Sequence, residues 1–445
     1  MSKKQLNLFD LVMIVVSLVI GMGIFRTPVG AAAKAGTPTV FFMAWLVGGV
    51  VALCGALTYA EIGSRYPVTG GYYKIFSYGY HPSIAFAVNC IILVSNAGST
   101  AAVAVIGAEY IGRFFYDGPA PELFRQLVAI VAVAVFYIIN LLGLRMSSSV
   151  LNILTLVKLL LILLLLASVF GTHPLPAQTA HAITEPNHSF LKALGLALIA
   201  ASFSYGGYQQ TINFGGEVRN PSRTIPRGIA IGIAVIITLY LSLNFVYTEV
   251  IGFEQLKTSD SIAAILMGHL FGPAGDSILR ILMFLSVMAY VNVAVMSNPR
   301  VMSAMSSDGI LPGVFQRRTP QRDVIVWSLT AFSALIIITL LFSSTVEKII
   351  NYSIFLDSIG FATSASTIFI LRHRKTGEDR DIYRMKLFPF IPLIFILAYV
   401  CVATSIALDD PFSAGCGVLI FTCCFVLYFL LRRRRKTIPD GPATE

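Results

Sequence analysis

Apolar runs of about twenty residues recur from one end of this chain to the other. A run of that length suits a helix crossing a hydrocarbon layer of roughly 30 Å. Twelve such segments can be drawn, at 8–33, 38–62, 83–115, 124–143, 148–171, 189–216, 227–252, 275–304, 323–343, 348–372, 387–407 and 411–432. A soluble domain carries about 25% charged residues; this chain of 445 has 12%, with a mean hydropathy of +0.79. The alternating segments of about ten residues that mark a membrane β-barrel are missing. The expected class is therefore an all-α polytopic membrane protein, with no polar stretch long enough for a soluble domain. The third, sixth and eighth segments are long enough to tilt or to be interrupted.

Charge sets the orientation. With the N-terminus inside, 22 of the 32 lysines and arginines fall in inner loops, and at most eight in outer loops and their flanks. That bias predicts both termini in the cytosol, in a cell membrane, and makes the Arg432–Lys436 cluster a topology signal. It also accounts for the net charge of +10 without invoking nucleic acid. The first apolar run is too long for a cleaved signal and reads as a retained span. The six cysteines form no CxxC pair, so no disulfide framework, metal site or cofactor is expected.

Two of the spans carry glycines where a helix should be continuous. Gly21 and Gly23 bracket Met22 in the first, and Gly206 and Gly207 sit in the middle of the sixth. Glycine costs roughly 1 kcal/mol against alanine inside a helix. One use is close helix packing. The other is unwinding, which frees backbone N–H and C=O groups that lipid cannot satisfy. Freed N–H groups at the start of a half-helix attract an anion, and freed carbonyls attract an ammonium or metal cation. A zwitterion answers both. Two breaks five segments apart, each beside an aromatic (Phe25; Phe203, Tyr205, Tyr208), favour binding, because matching interruptions in two halves point to a transporter site.

Lys158 lies on the order of 15 Å into the fifth segment, too deep to snorkel. Its expected place is inside the bundle, either as a fixed cation bracing the first and eighth helices or as a group that titrates during the cycle. Glu61, Glu217 and Arg300 fall near the inner face, where ion pairs would close it. Glu109 and Asp357 read as structural or gating residues rather than coordinating ones. No His, Asp or Cys constellation suggests an enzyme.

Several stretches carry a resemblance: "IGMGIF", "GALTYAEIGSRYPVTGGYYKI", "SYGGYQQTINFGGEVRNPSRTIPR", "NPRVMSAMSSDGILP" and "INYSIFLDSIGFATSASTIFILRHR". Over about 8–430 the chain resembles the amino acid–polyamine–organocation superfamily, and within it the L-type amino acid transporter branch, especially its bacterial members. The resemblance implies a LeuT-type fold of twelve transmembrane helices. Residues 8–171 and 189–372 would form inverted five-helix repeats, and 387–432 two appended helices. It implies a substrate site at Val19, Gly21, Met22, Gly23, Ile24, Phe203, Ser204, Tyr205, Gly206, Tyr208 and Gln209. In it Met22, Gly23 and Ile24 would offer N–H groups to a carboxylate, and the carbonyls of Val19, Phe203 and Tyr205 would take an ammonium. Phe203 would be the outer gate. Lys158, with Tyr290 and Asn292 from the eighth helix, would stand where other members hold sodium. Met22 and Tyr290 depart from the family's smaller residues, and Tyr208 stands where the mammalian branch tends to have tryptophan. The loop "YDGPAPELFR" lacks the cysteine that binds a heavy subunit in mammalian members, so no such covalent partner is expected.

Together these imply a sodium-independent carrier of neutral L-amino acids working by alternating access, either as exchanger or as proton symporter. Phe203, Tyr208, Gln209 and Met22 offer neither a carboxylate for a cationic side chain nor an arginine for an anionic one. The alternative is a carrier of amines, polyamines or cationic amino acids, which would need a buried acid beside the sixth helix.

Overall fold

The computed structural model describes residues 5–21, 23–116, 118–173, 189–259, 262–342, 346–378 and 381–436. Helix dominates throughout. The first apolar segment forms α1 (Leu8–Val19) and α2 (Gly23–Ala35), whose axes bend by 43° at the intervening residues. Then come α3 (Pro38–Arg65), the short α4 (Gly71–Gly79), α5 (Pro82–Gly112), α6 (Glu122–Leu141) and α7 (Leu144–Ala167). Next are α8 (Phe190–Ser204), α9 (Pro221–Val246), the short α10 (Phe253–Leu256) and α11 (Ile262–Phe271), and α12 (Gly275–Ser307). The chain closes with α13 (Val326–Leu341), α14 (Val346–His373), α15 (Phe390–Asp409) and α16 (Pro411–Lys436). Among the described residues seven helices are long and apolar enough to cross a membrane, or eight if α1 and α2 count as one bent span.

Local chemistry sets the helix starts. Asn7 accepts the Asp10 N–H at 3.0 Å while Asp10 returns the bond to the Asn7 N–H, a reciprocal cap on α1. Pro38, Pro82 and Pro221 open their helices at the position where a missing N–H costs nothing. Of the long segments, only the sixth is interrupted. α5 and α12 run unbroken for 31 and 33 residues, about 46–50 Å at 1.5 Å per residue, well beyond the hydrocarbon core. The short helices α4, α10 and α11 do not show in the apolar pattern, since each is too short to cross.

Burial separates an inner from an outer layer. The most apolar stretches of α3 and α5 are 61% and 67% buried, against 22% for α6 and 17% for α15. On α6 the exposed residues Leu123, Leu127, Val131, Val135 and Ile138 form one stripe at helical spacing. In a membrane protein that stripe faces lipid. The inner helices pack in pairs, α3 on α9, α5 on α12, α1 on α9 and α2 on α8, and join through buried polar contacts. Ser17 meets Thr155 at 2.6 Å and Asn96 donates to Asn298 at 2.7 Å. Such bonds suit helices that gain nothing from the hydrophobic effect when they associate in lipid.

At the end nearer the N-terminus the chain is sealed by two buried carboxylates. Glu61, fully buried on α3, binds Arg65 at 2.7 Å, Arg372 of α14 at 2.6 Å and the Met385 N–H at 2.8 Å. Glu217 binds Arg300 of α12 at 2.6 Å, with Arg318 at 3.4 Å, and the Arg300 guanidinium covers the Phe214 ring. The segment before α1 is stitched in as well: Gln5 and Leu6 donate to the Glu217 carbonyl at 2.9 and 3.1 Å, and Arg219 donates to the Leu6 carbonyl at 2.9 Å. Breaking one partner of a buried ion pair costs about 3–5 kcal/mol. Glu61→Gln is therefore expected to lower the melting temperature of the purified protein in detergent by several degrees. A melt identical to wild type would show that the cluster contributes no stability.

Candidate functional site

The two glycine-marked interruptions face each other. α1 ends at Val19, where the Ile20 N–H still reaches the Val16 carbonyl and the Gly21 N–H turns tightly back to the Val19 carbonyl at 2.8 Å. α8 ends at Ser204, and after Tyr205 and Gly206 the chain turns at Gly207 with φ +114°. It then continues as a 3-10 stretch, Tyr208–Asn213. Gly207 has two reasons to be glycine. That φ is one L side chains rarely adopt, and a Cβ there would lie 2.4 Å from the Leu18 carbonyl oxygen. From the other side, a Cβ on Gly23 would lie 3.0 Å from the Ser204 hydroxyl. Each interruption thus leaves room for the other.

α9 holds both in register. Tyr240 lies on α9, and Tyr247, seven residues on, opens the π-helical turn Tyr247–Ile251 that continues it; both are fully buried. The Tyr240 hydroxyl lies 3.3 Å from the Val19 carbonyl and 3.2 Å from the Ser204 carbonyl, so its one proton is shared between the two breaks. Tyr247 donates to the Ile24 carbonyl at 3.4 Å. The spacing of these tyrosines was readable in the sequence, but nothing there linked them to the breaks.

Lys158 is fully buried on α7, and its ammonium donates to the Ile20 carbonyl, a group freed where α1 ends. The contact belongs to a polar seam between α7 and α1, in which Asn152 binds Asp10 at 2.8 Å and Thr155 binds Ser17. Positions 152, 155 and 158 recur every three residues, so they share a face. The sequence reading found the lysine but missed the seam.

The other expected residues divide. Tyr290 lies beside the first break, its ring 3.9 Å from where a Gly21 Cβ would be. Asn292 is not at Lys158. It donates to the Ser147 carbonyl at 3.2 Å and accepts from Asn140 at 3.1 Å. Ser147 is eleven residues before Lys158 on α7, about 16 Å along the axis. Asn292 therefore ties α12 to α6 and α7 instead. The Tyr205 and Tyr208 rings also point away from the first break. Tyr205 donates to the Trp45 carbonyl at 3.3 Å, and Tyr208 packs edge-on to Tyr59 over Gly55, beside Phe395. They anchor the second break to its neighbours. Gln209 turns back so that its side-chain oxygen accepts the Gly207 N–H at 3.0 Å. The Val19 carbonyl already has Gly21 and Tyr240 as donors. Met22 and the Phe203 side chain lie outside the described residues.

Beyond the second break, Gln210 donates to Asn96 of α5 at 3.3 Å, and Asn96 to Asn298 of α12. One residue earlier on α5, Ser95 donates to Asp357 of α14 at 3.3 Å. Gly21, Gly206, Gly207, Gln210, Tyr290 and Asp357 keep some accessible surface while their helices are buried around them.

Opened, facing helices that offer backbone groups of both polarities agree with what sequence comparison finds. Residues 6–436 match the amino acid permease family. The chain belongs to that family. The permease is 27% identical over 445 residues to the serine/threonine exchanger SteT of Bacillus subtilis (strain 168), covering 98% of both chains. It is 28% identical over 436 residues to the human cystine/glutamate transporter, covering 96% of this chain and 85% of that one. The rat large neutral amino acids transporter small subunit 2 is 27% identical over 437 residues, covering 96% and 80%. The permease is thus an amino acid transporter of the amino acid–polyamine–organocation superfamily, and not an enzyme. Gly207→Ala is expected to reduce uptake to background in reconstituted vesicles. Gly195→Ala, on α8 before the break, where a Cβ meets nothing within 4 Å, should leave uptake intact; equal activity of the two variants would remove Gly207 from the site.

Proposed function

We propose that the permease is a sodium-independent secondary transporter of neutral L-amino acids, working by alternating access as an exchanger or a proton-coupled symporter. The observation that carries this reading is the Lys158 ammonium on the Ile20 carbonyl. Where a helix is opened, freed carbonyls are natural cation ligands, and here a lysine supplies a permanent one. A coupling sodium ion has no role left at that carbonyl.

The substrate lies between the breaks. Its carboxylate meets the N–H groups at the start of α2, from Met22, Gly23 and Ile24, where the helix dipole favours negative charge. Its ammonium meets the Phe203 and Tyr205 carbonyls. The relatives named above as exchangers and transporters of amino acids support the class of substrate. Twelve spans are proposed in a LeuT-type arrangement, with inverted repeats at 8–171 and 189–372 and two further helices at 387–432. The interrupted helices then open each repeat. The bias of basic residues toward alternate loops supports cytosolic termini in a cell membrane. The Glu61 and Glu217 clusters then close the cytosolic side, and opening toward the cytosol requires them to part. The loop before α6 has no cysteine for a covalently attached subunit.

Purified permease in liposomes should accumulate a radiolabelled neutral amino acid from sodium-free buffer. Lys158→Ala should slow uptake by at least about tenfold, the loss of one charge-assisted bond at the site. Strict dependence on sodium, or full activity of Lys158→Ala, would contradict the reading.

A further inference from the structure

Arg280 and Arg300 sit on the same helix, α12, separated by about 30 Å at 1.5 Å per residue. That is roughly the thickness of a hydrocarbon core, so Arg280 lies at the membrane face opposite the Glu217 cluster. There the end of α5, the first turn of α6 and the start of α12 surround a cavity of about 680 Å³. It is lined by Glu109, Arg113, Tyr116, Arg125, Arg280 and the loop 118–120. Its walls thus hold three guanidiniums and one carboxylate. Arg125 pairs with Glu109 at 3.0 Å. Arg280 pairs with Asp276 and donates to the Arg113 carbonyl, which holds it against the end of α5. Arg113 is exposed and has no ion pair among the described residues; Asp117, four residues on, lies outside them. The Nε–H groups of Arg125 and Arg280 are both withdrawn from water and have no acceptor among the described residues. A buried donor left unmet is costly. Two of them, on residues lining one cavity, call for an anion with several oxygens.

The surroundings point to the source of such an anion. Phe114, Phe115 and Tyr116 are exposed at the same place. The Arg280 guanidinium lies 5.5 Å from the Phe114 ring centroid, and Tyr116 packs edge-on to Phe124 of α6 at 5.3 Å. Exposed aromatics at a membrane face mark the level of lipid headgroups. The exposed apolar stripe of α6 starts at Leu123, in the same turn as Arg125, and runs from there along the helix. We propose that this cavity binds the phosphate of an anionic phospholipid through Arg113, Arg125 and Arg280, with the acyl chains lying along the α6 stripe. A guanidinium suits a phosphate because its planar fork bonds two oxygens at once. A zwitterionic lipid would bring its own cation to a site that already holds three. The plainer role, arginines that tie α5, α6 and α12 together through Glu109 and Asp276, is indifferent to lipid charge, and that separates the two. Such a site stands whatever the permease carries.

The test is thermal unfolding of the purified permease in uncharged detergent, titrated with short-chain phosphatidylglycerol, the matching phosphatidylcholine, or inorganic phosphate. Phosphatidylglycerol should raise the melting temperature by several degrees, as a ligand of the folded state does. It should act at a concentration at least about tenfold below that needed of phosphatidylcholine. Inorganic phosphate at the same concentration should not reproduce the shift. Arg113→Gln, at an exposed position, should raise the half-saturating lipid concentration by about tenfold, and Arg125→Gln by at least as much, each losing one charge-assisted bond. Arg145→Gln, exposed just past the far end of α6, should leave it unchanged. Should Arg125→Gln fail to fold, Arg113→Gln carries the test. No stabilisation by phosphatidylglycerol, equal potency of the two lipids, or a titration that Arg113→Gln leaves unchanged or Arg145→Gln alters as much would overturn the assignment. A shift reproduced by inorganic phosphate alone would give the cavity to a soluble anion and overturn the lipid.

Discussion

Hydrocarbon offers no partner to an open backbone amide, so a helix can be interrupted inside a membrane only where something else answers its freed groups. Much of the interior follows from that constraint. The end of α1 releases the Ile20 carbonyl, and Lys158 is there to meet it. The Val19 and Ser204 carbonyls share the Tyr240 proton, Ile24 is met by Tyr247, and the Gly207 N–H is met by the side chain of Gln209. In the proposed site the N–H groups at the start of α2 and the Phe203 and Tyr205 carbonyls are what a zwitterion would fill. In this family member the unwound segments and the side chains that support them form one unit. A change at Tyr240 or Gly207 should be felt at both breaks.

The sealed end obeys a related rule. Glu61 and Glu217 are carboxylates withdrawn from water, tolerable because two guanidiniums surround each and the Met385 N–H completes the Glu61 site. Buried ion pairs are seldom a source of stability compared with apolar packing. In the proposed alternating-access cycle they suit an interface that parts and reforms, since water can replace each partner. Leu6 adds a backbone bridge to Val218 across the same seam. That bridge joins the segment before α1 to the end of the second interruption.

Much of this was legible in the sequence, for reasons that differ by element. Apolar run length located the helices, because lipid imposes a span length on them. The glycines at 21, 23, 206 and 207 marked the interruptions, and Gly207 shows why most plainly, with a φ of +114° and a carbonyl 2.4 Å from a would-be Cβ. Lys158 stood out as a charge too deep to snorkel. The partners did not show. Tyr240 is one aromatic on an apolar helix, and Thr155 one hydroxyl, and neither pattern says which backbone it will meet. Asn292 was misplaced for the same reason: a polar residue on an inner helix has several neighbours, and it meets Asn140 of α6 and Ser147 of α7, the latter about 16 Å along the helix from the lysine. Aromatic neighbours of the second break suggested a pocket lining, yet Tyr205 and Tyr208 face α3 and α15. A residue beside an interruption points outward as often as inward once the helix has ended.

The central claim is that opened backbone recognises the α-ammonium and α-carboxylate together. Equilibrium competition by three analogues with one side chain tests it most directly: the neutral amino acid, its decarboxylated amine and its deaminated acid. The expected result is that only the amino acid competes well, with each truncated analogue weaker by about a hundredfold or more, as for loss of a charged group from a buried site. An amine that competes as strongly as the amino acid would contradict it.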